Sequence, residues 1–105
     1  MAKAKRGELW LIDLGLAQKL RPCVILSIDF LDHERAVVSY VPRTTVPRGT
    51  RFEVAHQAAG FDAGAFDAQG IGGVPIPKLV RRLGTITPQI LQQIEVAVKL
   101  WLNLP

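Results

Sequence analysis

Apolar residues in this chain come in short runs separated by Gly, Pro and charged clusters, a spacing that predicts several β-strands followed by one helix. Glu8–Leu14 is apolar and β-compatible, with Gly7 before it and Gly15 after it. A short basic loop, Leu16–Leu20, leads to Pro22–Ile28, apolar at nearly every position and therefore read as a strand buried on both faces. Asp29–Glu34 is polar enough for a connection. A third strand, Ala36–Val41, is expected to end against Pro42, which marks an edge. The loop Thr44–Gly49 feeds a fourth strand, Thr50–Ala55. His56–Gly64, rich in Ala and Gly, predicts either a short helix or an irregular loop. Phe66–Gly70, Val74–Ile76 and Arg82–Ile86 are brief strand candidates, interrupted by Gly72, Gly73 and Pro75.

After Ile86 the period changes. Thr87 suits a helix N-cap, and Pro88 falls at the first helical position, where its missing N–H costs nothing. Ile90, Leu91, Ile94, Val98 and Trp101 recur at helical spacing, with Gln92, Gln93, Glu95 and Lys99 on the opposite side. Trp10 and Trp101 each sit in an apolar run and are expected in the core. Many short strands and one terminal helix predict a mainly β fold, a small barrel or sandwich whose open face or edge the helix covers. Val96, Leu100, Leu102 and Leu104 fall outside the main stripe; a helix apolar over more than one face predicts a homodimer.

The 105 residues suit a single domain, 1–105, and 49% hydrophobic with 21% charged residues excludes disorder as the main state. A single cysteine, Cys23, excludes an intramolecular disulfide framework and a Cys-rich zinc module, and fits a reducing, cytoplasmic setting. No apolar run approaches the ~20 residues that span a bilayer, so no membrane partner is expected. Met1–Arg6 is basic without a secretory hydrophobic region, and residues 1–5 read as a flexible arm. Net charge is 13 − 9 = +4, unevenly placed. Arg35, Arg43, Arg48 and Arg51 lie between Glu34 and Glu53 with no acidic residue among them, and Lys78, Arg81 and Arg82 form a second group. Such a surface attracts a phosphate backbone or an acidic protein, or merely keeps the chain soluble.

Arg21 is held extended by the following Pro22 and opens a buried strand, so its guanidinium is placed for bidentate contact with a phosphate; the plain alternative is a surface arginine beside an incidental proline. Thr44 and Thr45 follow the third strand and either donate to a phosphate or cap a turn. His33 and His56 invite comparison with paired acid–base imidazoles, but nothing in the sequence joins them and both read as ordinary surface residues. Asp32, His33 and Glu34 lack metal-site spacing, and Gly70-Ile-Gly-Gly73 lacks the Lys-Ser/Thr of a phosphate loop.

Taken in order, Arg6-Gly-Glu-Leu-Trp10 with Asp13, Arg21-Pro-Cys-Val-Ile-Leu-Ser27, Pro42-Arg-Thr-Thr45, Phe66-Asp-Ala-Gln69 and Leu83-Gly84 before the helix resemble the MazF/PemK family of toxin endoribonucleases. The likeness runs from Arg6 to Leu104. It implies an SH3-like small β-barrel with a C-terminal helix, a homodimer, and cleavage of single-stranded RNA at a short motif without metal or other cofactor. The family's catalytic Arg falls on Arg21 and its catalytic Thr on Thr44, while Thr45 replaces the usual Ser. Lys19, Arg43, Thr45, Arg48 and Arg81 are the expected RNA contacts. The implied products are a 2′,3′-cyclic phosphate and a 5′-hydroxyl, and the implied partner is a cognate antitoxin whose acidic tail lies across the RNA groove. The sequence departs from the family at Gly15–Leu20, which is short and lacks the usual acidic residue; Gln18 and Lys19 are its only polar side chains. Two rivals share the barrel: a toxin that poisons DNA gyrase, and a module that binds RNA or protein without cutting.

Overall fold

The computed structural model describes residues 3–16 and 19–105. Seven strands, β1 (Glu8–Asp13), β2 (Leu20–Ile25), β3 (Val37–Thr44), β4 (Glu53–His56), β5 (Gly64–Asp67), β6 (Gly72–Pro75) and β7 (Leu79–Thr85), precede one helix, α1 (Pro88–Leu102). Short 3₁₀ turns at Ala68–Gly70 and Ile76–Lys78 flank β6. The strands run in the order β4-β5-β3-β2-β1-β7, all neighbours antiparallel, with β6 paired to β3. The class is the expected one, mainly β with a C-terminal helix, although among the described residues no backbone pairing closes the sheet from β4 to β7.

The long β3 organises the molecule. Its first half, Val37–Tyr40, pairs with β6; its last residues, Arg43 and Thr44, pair with β5. Pro42 therefore sits where β3 changes partner, and its missing N–H interrupts neither ladder on that edge. This is why the strand continues past Val41, where the sequence pattern ended it, and carries Thr44 as its final residue.

The sheet buries both faces. Leu9, Val24, Val41, Val54 and Phe66 pack under Ile94, Ala97 and Val98 of α1. Trp10, Ile12, Cys23, Ile25 and Val38 form a second core with Ile76 and Leu79. Cys23-Val24-Ile25 serves the two cores alternately, which explains its uninterrupted apolar run. The helix starts as its sequence demands: the Thr87 hydroxyl accepts from the Ile90 N–H at 3.2 Å, and Pro88 follows. It ends at Asn103, in the left-handed conformation (φ 55°).

Several expectations are corrected. Trp101 is 42% exposed and meets Phe52 edge-on with ring centroids 5.2 Å apart, so it lies at the rim and not in the core. The fourth strand begins at Glu53, because Thr50–Phe52 are spent on the turn that the Glu53 N–H closes onto the Thr50 carbonyl. Gly72 and Gly73 lie inside β6, opposite Tyr40 and Ser39. Met1 and Ala2 of the basic arm and Gln18 of the β1–β2 loop lie outside the described residues.

Candidate functional site

Register brings the candidate residues together. β2 and β3 pair Cys23 with Pro42, Val24 with Val41 and Ile25 with Tyr40. Continued two residues towards the strand ends, that register sets Arg21 opposite Thr44. Side chains alternate across a sheet, so Arg21 shares its face with Cys23, and Thr44 with Pro42. On β5 the buried Phe66 faces the helix side, which turns Ala65 and Asp67 towards the face of Thr44. Asp67 is in turn paired with Glu53. Arg21, Thr44, Asp67 and Glu53 thus come from four adjacent strands to one face of the sheet.

They line a single cleft of about 530 Å³, whose walls also include Thr45, Arg48, Thr50 and Gln69. Thr44, Glu53 and Asp67 are each held by a specific contact. The Thr44 hydroxyl oxygen accepts from the Val46 N–H at 3.0 Å, which fixes the side chain and leaves its own O–H to donate outward. The turn-capping and phosphate-donating readings of this residue are therefore compatible. The Glu53 carboxylate accepts from the Arg48 N–H at 2.9 Å and the Thr50 N–H at 2.7 Å. These backbone donors hold its carboxyl below the usual range. They also tie the 48–53 loop against the cleft, which positions Arg48. Asp67 caps the 3₁₀ turn that follows it, its Oδ1 accepting from the Gln69 N–H at 3.0 Å.

Residues 5–102 match the family of PemK-like, MazF-like toxins of type II toxin–antitoxin systems. The chain belongs to that family. Among solved structures it resembles an endoribonuclease in complex with its cognate antitoxin from a mycobacterial species, at 28% identity and a TM-score of 0.84, with 98% of each chain covered. It also superposes on the Mycobacterium tuberculosis toxin MazF-mt6 (21% identity, TM-score 0.81, 93% of this chain and 98% of that one). A MazE–MazF structure from Deinococcus radiodurans aligns over the whole of both chains at 17% identity and a TM-score of 0.83. The last two likenesses speak to the fold.

Against this family background, the expected site residues divide. Arg21, Thr44, Thr45 and Arg48 line the cleft together. Arg81 lies exposed on β7, whose neighbour is β1, on the far side of β2 from β3. Lys19 is exposed just before β2, in the left-handed conformation (φ 57°), and is absent from the cleft wall. Arg43 borders the cleft, but its side chain does not supply a surface cation: the residue is 3% exposed. Its Nε donates to His56 Nδ1 at 2.9 Å, and one terminal nitrogen donates to the carbonyl oxygens of His56 (2.8 Å) and Asp62. Alternation along β3 explains this, since Arg43 stands on the helix-side face with Val41.

His56 is the second correction. Expected at the surface, it is buried against Phe66, with ring centroids 4.8 Å apart. Burial, then the Arg43 charge, pushes its imidazolium form to lower pH. Accepting at Nδ1 requires the neutral ring with its proton on Nε2. His33 lies exposed in the loop before β3, so the two imidazoles do not form an acid–base pair. Sequence reasoning passed over Glu53, Asp67 and Gln69 as site residues. The Phe66-Asp-Ala-Gln69 segment was the available signal, but its facing direction depends on the pairing of β5 with β3.

Proposed function

We propose that this chain is a toxin endoribonuclease that cuts single-stranded RNA at a short motif by an internal displacement requiring no metal. The observation that carries the reading is the convergence of Arg21 and Thr44 on one cleft whose wall also holds Arg48 and three further uncharged donors, Thr45, Thr50 and Gln69. A ribose 2′-oxygen attacks the adjacent phosphorus as the bond to the 5′-oxygen breaks, leaving a 2′,3′-cyclic phosphate and a 5′-hydroxyl. Negative charge builds on the non-bridging oxygens of the phosphorane. Arg21 offers a fork of N–H donors to that charge and a proton to the departing oxygen. Thr44 donates its O–H to a non-bridging oxygen, and Thr45 and Arg48 hold the flanking backbone. Each pre-positioned donor of this kind is worth roughly 10²–10³ in rate.

The partner is an antitoxin whose acidic tail competes for the same cations, as the antitoxin complexes among the structural neighbours suggest. The working unit is a homodimer, supported by the exposed apolar residues Val96, Leu100 and Leu102 on the helix. The reading is tested by incubating the protein with mixed-sequence RNA in excess EDTA and mapping the ends. Discrete fragments with 5′-hydroxyl termini are expected. Intact RNA, with gyrase–DNA complexes trapped instead, would overturn it.

A further inference from the structure

RNA cleavage by 2′-oxygen attack needs an acceptor for the hydroxyl proton, and the Gly15–Leu20 loop contains no carboxylate to supply one. The described residues offer three carboxylates near the Arg21 end of the sheet. Asp13 is excluded by facing direction: its neighbour Ile12 pairs with Arg21, so Asp13 stands on the opposite face, where its Oδ1 accepts from the Gly15 N–H at 3.0 Å. Glu53 is excluded by occupancy, since both its oxygens already accept from backbone N–H groups that close the 48–53 turn. Asp67 remains.

We propose that Asp67 is the general base of this cleft, an assignment that rests on the endoribonuclease reading above. Three observations support it. Its side chain stands on the face of Thr44 and Arg21, because the β3–β5 register, continued by one residue, sets Asp67 opposite Pro42. Only Oδ1 is engaged, with the Gln69 N–H; Oδ2 accepts no hydrogen bond among the described residues. The turn that carries Asp67 is seated closely against β3 at Gly70, where a Cβ would stand only 2.7 Å from the Pro42 ring and would push that turn away.

In the step assigned, Oδ2 of ionised Asp67 takes the 2′-hydroxyl proton as the 2′-oxygen–phosphorus bond forms. The phosphorus–5′-oxygen bond breaks, and the leaving oxygen receives its proton from Arg21. Exchange with solvent then returns the carboxyl to carboxylate and the arginine to its cation. The charged groups that face Asp67 across the cleft are Arg21 from β2, Arg48 from the β3–β4 loop and Glu53 from β4.

Asp67→Asn tests this cleanly, because an Asn oxygen caps the Gln69 N–H as well as an Asp oxygen does while accepting no proton. The cut site is first mapped on mixed-sequence RNA. Single-turnover cleavage is then followed on an oligonucleotide spanning it, and binding on the same oligonucleotide with a 2′-deoxy residue at the cut. The expected result is a rate lowered roughly 10²–10⁴-fold. Affinity and unfolding temperature should stay unchanged, and Asp67→Glu should recover part of the rate. A folded Asp67→Asn protein that cuts at the wild-type rate overturns the assignment. So does loss of cutting in Glu53→Gln while Asp67→Asn stays active. Wild-type protein that never cuts overturns the underlying reading and this proposal with it. Arg21→Ala inactive beside Asp67→Asn active removes Asp67 alone.

Discussion

A guanidinium with 3% exposure is costly unless its N–H groups find acceptors, and Arg43 finds His56 Nδ1 and two backbone carbonyls in place of a carboxylate. That solution depends on neutral His56. Burial and the neighbouring Arg43 charge depress its folded pKa below the ordinary 6.5, so the folded state resists proton uptake more than the unfolded chain does. Its contribution is complete above pH 6.5 and falls as pH drops below that value towards the depressed folded pKa. Urea unfolding at about pH 7.5 and about pH 5 should show a loss of stability that is smaller in His56→Gln, which does not titrate. An equal loss in both proteins would remove His56 as its source. At this scale Arg21 and Thr44 were legible only through the family resemblance of Arg21-Pro22 and Pro42-Arg-Thr-Thr45, since local chemistry alone left a surface arginine and a turn cap as alternatives. The roles of Arg43 and His56 were not, since which way a strand residue faces depends on partners distant in the chain.

Strand pairing builds the cleft, and β5 comes very close to β3 at Gly64, beside the end of β3. A Cβ on Gly64 would run into the Thr44 carbonyl oxygen and approach an Arg43 terminal nitrogen to 2.9 Å. Gly64→Ala is therefore expected to destabilise the fold by about 1–3 kcal/mol, as overpacking does. Because it presses on the Thr44 backbone, it should also slow cleavage in the protein that remains folded. Wild-type stability and rate would show that β3 yields there without consequence. Among the elements, α1 was the most legible, since its cap, its proline and its period all agree. β3 was misjudged at Pro42 because a proline ends a strand only where a ladder needs its N–H, and here the partner changes instead. The glycine-rich β5 and β6 carry too few side chains to show a period and are strands through pairing with β3.

For the molecule as a whole, α1 covers one core with Ile94, Ala97 and Val98 while presenting Val96, at 61% exposure, and Leu100 outward. If that outer stripe joins two copies, Val96→Glu with Leu100→Glu should convert a dimer to monomer in sedimentation with the helix content retained. A dimer unaffected by both would move the interface elsewhere. The mainly β plan with a terminal helix was legible from spacing alone; the open order β4-β5-β3-β2-β1-β7 was not, because it is set by contacts between segments far apart in sequence. The central claim is that Arg21 and Thr44 act together on one phosphate, and single-turnover cleavage of a mapped RNA site by Arg21→Ala, Thr44→Ala and the double variant tests it most directly. The account predicts that each single change costs roughly 10²–10³ in rate and that the double change costs far less than their product, since residues acting as a unit are not additive. A folded single variant that cuts RNA at the wild-type rate would contradict it.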